Sequence, residues 1–144
     1  MKATDLMVGD YAFWDWVTHK VDYDGDVITD KGYDVSRRII KVSSVNETGV
    51  TFKSLKDGSQ IYIKEEDLAP IPLTKEILKK NEFEKAELES NTYRLPSFRD
   101  DVWFSINDYF YLGFDETAVQ FNCYSVHELQ HILKFNGVDK EIVL

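Results

Sequence analysis

His127-Glu128-Leu129-Gln130-His131 is the segment whose residue types and spacing could do chemistry. On a helix, residues four apart share a face, so two imidazoles can hold one zinc ion while the intervening glutamate activates a bound water. Such a site would make His127 and His131 metal ligands and Glu128 the general base of a zinc-dependent hydrolase. The same letters also satisfy a structural pattern. Ser125-Val126-His127-Glu128 reads as a capping box, with Glu128 bonding back to the amide of Ser125, and Tyr124 and Leu129 take the staple positions. At about 100° per residue, Val126, Leu129 and Leu133 share one face with Ile132 at its edge, whereas His127, His131 and Lys134 fall on the opposite side, expected to be solvated. A catalytic zinc takes three protein ligands plus water. Lys134 and Gly137 stand where the longer metalloprotease pattern has its glycine and third histidine, leaving only Asp139 and Glu141 downstream and His19 far upstream. No active site is complete, so no catalytic residue, cofactor-binding residue or metal ligand is assigned. Glu128 as base, with His127 and His131 as ligands, is the alternative reading.

Three other groupings carry weaker signals. Asp22, Asp24, Asp26, Asp30 and Asp34 alternate like a calcium loop, but Val27 and Tyr33 hold the positions that require glycine and glutamate. A solvated acidic loop is the expectation there, with weak cation binding left open. Tyr11, Phe13, Trp14 and Trp16 form an aromatic run whose alternation sends Tyr11 and Phe13 to one face and Trp14 and Trp16 to the other. One set belongs to a core; the other is expected to be buried between the two halves of the chain, or else to form an exposed binding surface. Cys123 has no basic neighbour in sequence and reads as a buried structural thiol.

The elements that must carry these residues divide at Pro70-Ile71-Pro72, which excludes helix before it. In residues 1–72, strands are expected at Tyr11–Val17, Arg37–Val45, Val50–Leu55 and Gln60–Ile63, with turns at 46–49 and at Asp57-Gly58 and a long polar connection over 18–36. Their spacing predicts a small antiparallel SH3-like barrel. In residues 73–144, Thr74 caps a helix of about two turns ending at Asn81, with Leu73 and Leu78 as its staple. Strands follow at Glu84–Glu89 or Thr92–Leu95, then at Val102–Ile106, Tyr109–Phe114 and Ala118–Cys123, with turn pairs Asn107-Asp108 and Asp115-Glu116. A last helix runs from Ser125 to Asn136 and ends on Gly137 in a left-handed cap. The fold class is α+β, without an internal repeat or low-complexity tract.

Composition narrows the function classes. Of 144 residues 43% are hydrophobic and 14% aromatic, enough for packed cores, while 26 acids against 17 bases leave a net charge of −9. That charge opposes binding to a phosphate backbone and makes nucleic acid an unfavoured partner; DNA mimicry is conceivable, but solubility accounts for the charge more simply. The single cysteine rules out an internal disulfide. No run approaches the roughly 20 apolar residues of a membrane helix, and no signal-like segment opens the chain. A cytoplasmic location without membrane contact is expected.

Three stretches, Lys2–Asp10 (KATDLMVGD), Asp67–Leu78 (DLAPIPLTKEIL) and Val126–His131 (VHELQH), together resemble a family of small proteins from Bacteroides-type bacteria and their phages and mobile elements. The family has no established activity, and its last motif is closer to V-H-x-L-Q. The resemblance therefore implies that His127, Leu129 and Gln130 serve folding or an interface, and that the 18–36 loop is longer than usual. The leading expectation is a non-enzymatic binding or accessory module with a protein partner and no cofactor, its contact surfaces the exposed aromatics and the polar face of the last helix.

Overall fold

A computed structural model describes residues 1–19, 33–85, 92–96, 102–107, 109–114 and 123–144. The chain divides into two units, Met1–Ile71 and Pro72–Leu144. The expected Ala118–Cys123 strand (apart from Cys123), the turn residues Asp108 and Asp115-Glu116, and the acids Asp22–Asp30 lie outside the described residues.

In the first unit, β1 (Tyr11–His19), β2 (Tyr33–Asn46), β3 (Gly49–Lys53) and β4 (Gln60–Lys64) form an antiparallel meander, and β5 (Leu68–Ala69) returns to β1 after a 3-10 turn at Glu65–Asp67. The sheet order is β4-β3-β2-β1-β5; α+β holds for the chain, and this sheet is not closed. Both β1 and β2 run further than the sequence predicts, into the segment expected to be loop. The register explains the extension, since Val17 meets Val35 and Asp15 meets Arg37, cross-strand pairs that single-strand patterning does not see. β3 conversely ends at Lys53, two residues early, and Gly58 takes a positive φ in the turn before β4.

Period-two alternation decides the core. Ala12, Ile40, Val42, Val50, Phe52, Ile63 and Leu68 point inward and are buried together with Ala3 and Leu6, and Trp14 packs against them. Gly49 is required by close approach, because a Cβ there would sit 2.1 Å from the Ile63 carbonyl oxygen. Near the start of the chain, Asp10 is buried, accepts from the Met7 amide at 2.6 Å and brackets Val42 through its own carbonyl.

The second unit begins with Pro72, which pairs with Ser125, while the Leu73 amide donates to the Tyr124 carbonyl. Helix α1 (Lys75–Lys80) is capped by Thr74, whose Oγ1 accepts from the Ile77 amide at 3.3 Å. An antiparallel sheet follows in the order β6 (Glu84–Lys85), β7 (Thr92–Arg94), β8 (Val102–Asn107), β9 (Tyr109–Phe114). Strand therefore occurs at both alternative positions, at Glu84–Lys85 and Thr92–Arg94, while 86–89 of the expected Glu84–Glu89 strand lie outside the described residues. Helix α2 (Val126–Phe135) closes the order, with Val126, Leu129 and Leu133 buried as its spacing predicts.

The two helices end alike. Val138 donates to Leu133 and Gly137 to Lys134; Phe83 donates to Leu78 and Glu82 to Lys79, so each end is a Schellman motif. Asn81 and Asn136 each cap their own helix, donating to the carbonyls of Ile77 and Ile132 at 2.7 Å. The left-handed position holds Gly137 (φ 78) in one and Glu82 (φ 64) in the other. The shared letters, Ile-Leu-Lys-x-Asn at 77–81 and 132–136, are too few to read as a repeat.

Candidate functional site

The first turn of α2 gathers the residues that the sequence singles out. Glu128 Oε2 accepts from the amides of Tyr124 (2.7 Å) and Ser125 (2.9 Å) and from the Ser125 hydroxyl (2.9 Å). Those amides belong to the helix entrance, where N–H groups have no intrahelical partner and the helix dipole favours negative charge. Glu128 thus does the capping work that its position three after Ser125 predicts.

His127 departs from expectation. The helical wheel puts it on a solvated face, yet it is only 6% exposed, and its Nδ1 lies 2.9 Å from Ser125 Oγ. A wheel registers no neighbour beyond its own helix, whereas this ring folds back on the N-cap, whose hydroxyl compensates the desolvation of a polar nitrogen. His131 is half-buried rather than solvated, and Lys134 is exposed as expected. The His127 and His131 rings are 5.9 Å apart at an interplanar angle of 81°, and His131 meets Phe135 edge-on at 6.5 Å. Among the described residues no group of three or more His, Cys, Asp or Glu side chains converges on a point. The side chain of His19 lies outside the described residues.

Cys123 is buried beside this turn. Burial, reinforced by the charge of Glu128, pushes its pKa up to about 12, so the thiolate that a nucleophile needs is suppressed.

A second candidate lies on the outer face of β1 and β2. Alternation brings Tyr11, Phe13, Asp15 and Val17 out on one strand opposite Lys41, Ile39, Arg37 and Val35 on the other. Arg37 lies 4.6 Å over the Phe13 ring, and its guanidinium grips Asp15 with two bonds of 2.6 Å; Lys41 lies 5.4 Å from the Tyr11 ring. The Arg37 hydrogen bonds hold the Asp15 carboxyl below its ordinary pKa. Tyr11 and Phe13 are thereby half-covered by the cations of the neighbouring strand, while Val17 (51%), Val35 (60%) and Ile39 (47%) stay exposed. On the inner face Trp14 stacks near Trp16 (4.7 Å) and Phe52 (5.7 Å). Sequence reading found the aromatics but not Arg37, Val35 or Ile39, because their membership of this face follows from register alone.

In comparison with known proteins, no family model matches the chain, and neither a curated protein nor a solved structure matches it. The stretches Lys2–Asp10, Asp67–Leu78 and Val126–His131 include the turn at Met7–Asp10, the Pro70–Thr74 entrance to α1 and the capped first turn of α2.

Proposed function

We propose that this chain is a non-enzymatic binding module that engages a protein partner through the outer face of β1 and β2. The observation that carries the reading is the exposure of Val17, Val35 and Ile39 on one face, where the Arg37–Asp15 pair lies between Ile39 and the Val17–Val35 pair and Arg37 is fixed in place by Phe13 and Asp15. Aliphatic side chains on a sheet face, flanked by a pre-positioned arginine, suit a partner with apolar side chains edged by carboxylates. Counted with Asp15, Arg37 and Lys41 leave the paired residues of this face with one excess positive charge on a chain of net charge −9, which adds electrostatic discrimination.

An SH3-like first unit is part of this reading; it is supported by a four-strand meander followed by a 3-10 turn and a strand returning to β1. So are a cytoplasmic setting and an origin in a phage or mobile element, the latter resting on the sequence resemblance. Among the described residues no helix is long and apolar enough to cross a membrane. The hydrolase alternative would need Glu128 as base, and the three hydrogen bonds on its Oε2 favour the binding reading over it.

The test is affinity capture from lysate with wild type and with Ile39→Asp, which breaks the apolar face. A partner held by wild type and lost by Ile39→Asp is the expected result. A partner held equally by both, or repeated failure to capture any, counts against the proposal.

A further inference from the structure

Asn136 is the chain's one asparagine followed by glycine. In that pair the Gly137 backbone nitrogen, with no Cβ beside it, can attack the Asn136 side-chain carbonyl. The N–Cγ bond forms, the Cγ–Nδ2 bond breaks, and ammonia leaves with the Gly137 amide hydrogen. Water then opens the five-membered imide to aspartate or to its isoaspartyl isomer. The end of α2 holds the reacting groups apart. Asn136 Nδ2 donates to the Ile132 carbonyl at 2.7 Å, and the Gly137 amide donates to the Lys134 carbonyl at 3.1 Å. At the Asn136 ψ of 11° the Gly137 nitrogen is nearly eclipsed with the backbone nitrogen of Asn136, whereas ring closure needs it nearly eclipsed with Cβ. Asn81 is the contrast within the same chain. It makes the same 2.7 Å bond, to Ile77, but precedes Glu82, whose side chain crowds the amide that would attack.

We propose that Asn136 is a deamidation site gated by the C-terminal cap of α2, open to reaction only when that last turn frays. Helix ends are among the first parts of a fold to open. The reaction then works against reclosure. Aspartate at 136 has no amide hydrogens to give the Ile132 carbonyl, and it brings a carboxylate to the negative pole of the helix, where anions are unfavourable. The isoaspartyl form adds a methylene to the backbone and takes the Gly137 amide out of register with Lys134. Of the two helix ends, which share their cap bonds, only that of α2 carries the reactive pair.

Peptide mapping by mass spectrometry tests the gate, on the full chain incubated in warm, mildly alkaline buffer with and without denaturing urea. In urea, Asn136 gains the mass of amide-to-acid conversion well ahead of Asn81. In the folded chain the conversion at Asn136 is slower by about tenfold or more, because reaction waits on local opening. Conversion of Asn136 as fast in the folded chain as in urea overturns the gate, and no preference for Asn136 over Asn81 in urea overturns the site. The consequence is read separately from melting curves of wild type and Asn136→Asp. A lower melting temperature for Asn136→Asp is expected, and an unchanged or higher one overturns the claim that the product resists reclosure.

Discussion

In the first unit, side chains that read as core material, Val17, Val35 and Ile39, stand on an outer sheet face. In the second, side chains that read as chemistry, His127 and Glu128, are turned back into the first turn of α2. The contrast has a physical origin. A six-residue helix such as α1 or a ten-residue one such as α2 leaves a large share of its backbone groups without intrahelical partners. The second unit therefore consumes polar side chains at its helix ends. An antiparallel sheet satisfies its backbone internally and needs only one face buried, so the first unit can present residues outward.

If the polar residues of the second unit serve folding, removing them should cost stability, the most where burial is deepest. Asn81 is 2% exposed, and its amide bonds both the amide and the carbonyl of Val143 as well as the Ile77 carbonyl. Asn81→Ala should lower the unfolding free energy by about 2–4 kcal/mol, the cost of leaving buried partners unsatisfied, in urea denaturation. Gly137→Ala follows at about 1–2 kcal/mol, because a residue with a Cβ is forced into the left-handed region. Space is open around that Cβ position, so the cost is conformational alone. Glu82 already bears this strain at φ 64 and holds Lys140 by a salt bridge; Glu82→Gly should move the urea midpoint in the opposite direction to Gly137→Ala. Glu128→Ala should cost about 1 kcal/mol as a lost cap, seen as a lower melting temperature.

The first unit should behave in reverse. Val35→Thr and Ile39→Thr should leave stability within about 0.5 kcal/mol while weakening partner capture. The smallest effect is on pH. Asp15 has a lowered folded pKa because Arg37 bonds its carboxylate, so the pair contributes stability above the unfolded value and loses it as pH falls through the folded one. Carboxyl NMR titration should show the Asp15 midpoint rising in Arg37→Ala, and the difference shrinking at high salt.

How far the sequence revealed this contrast depended on whether the cause was local. Thr74, Ser125, Glu128 and Gly137 announce helix ends because caps are set by residues within one turn. The length of β1 and β2, and with it the outer face, depends on which residue of one strand meets which of the other; nothing near Arg37 in the chain points to Asp15 or Phe13. The burial of His127 was likewise hidden, since the polar face of a wheel says nothing of a hydroxyl two residues back that can receive the ring. The terminal tail was out of reach for the same reason, because Asn81 and Val143 are brought together only by the fold.

The claim that the first unit binds while the polar turn of the second folds is tested most directly by parallel capture with wild type, Ile39→Asp and Glu128→Gln. The account predicts one partner held by wild type and by Glu128→Gln, absent with Ile39→Asp, and a lowered melting temperature for Glu128→Gln alone. A partner lost with Glu128→Gln and retained by Ile39→Asp would contradict it, and would place function at the first turn of α2.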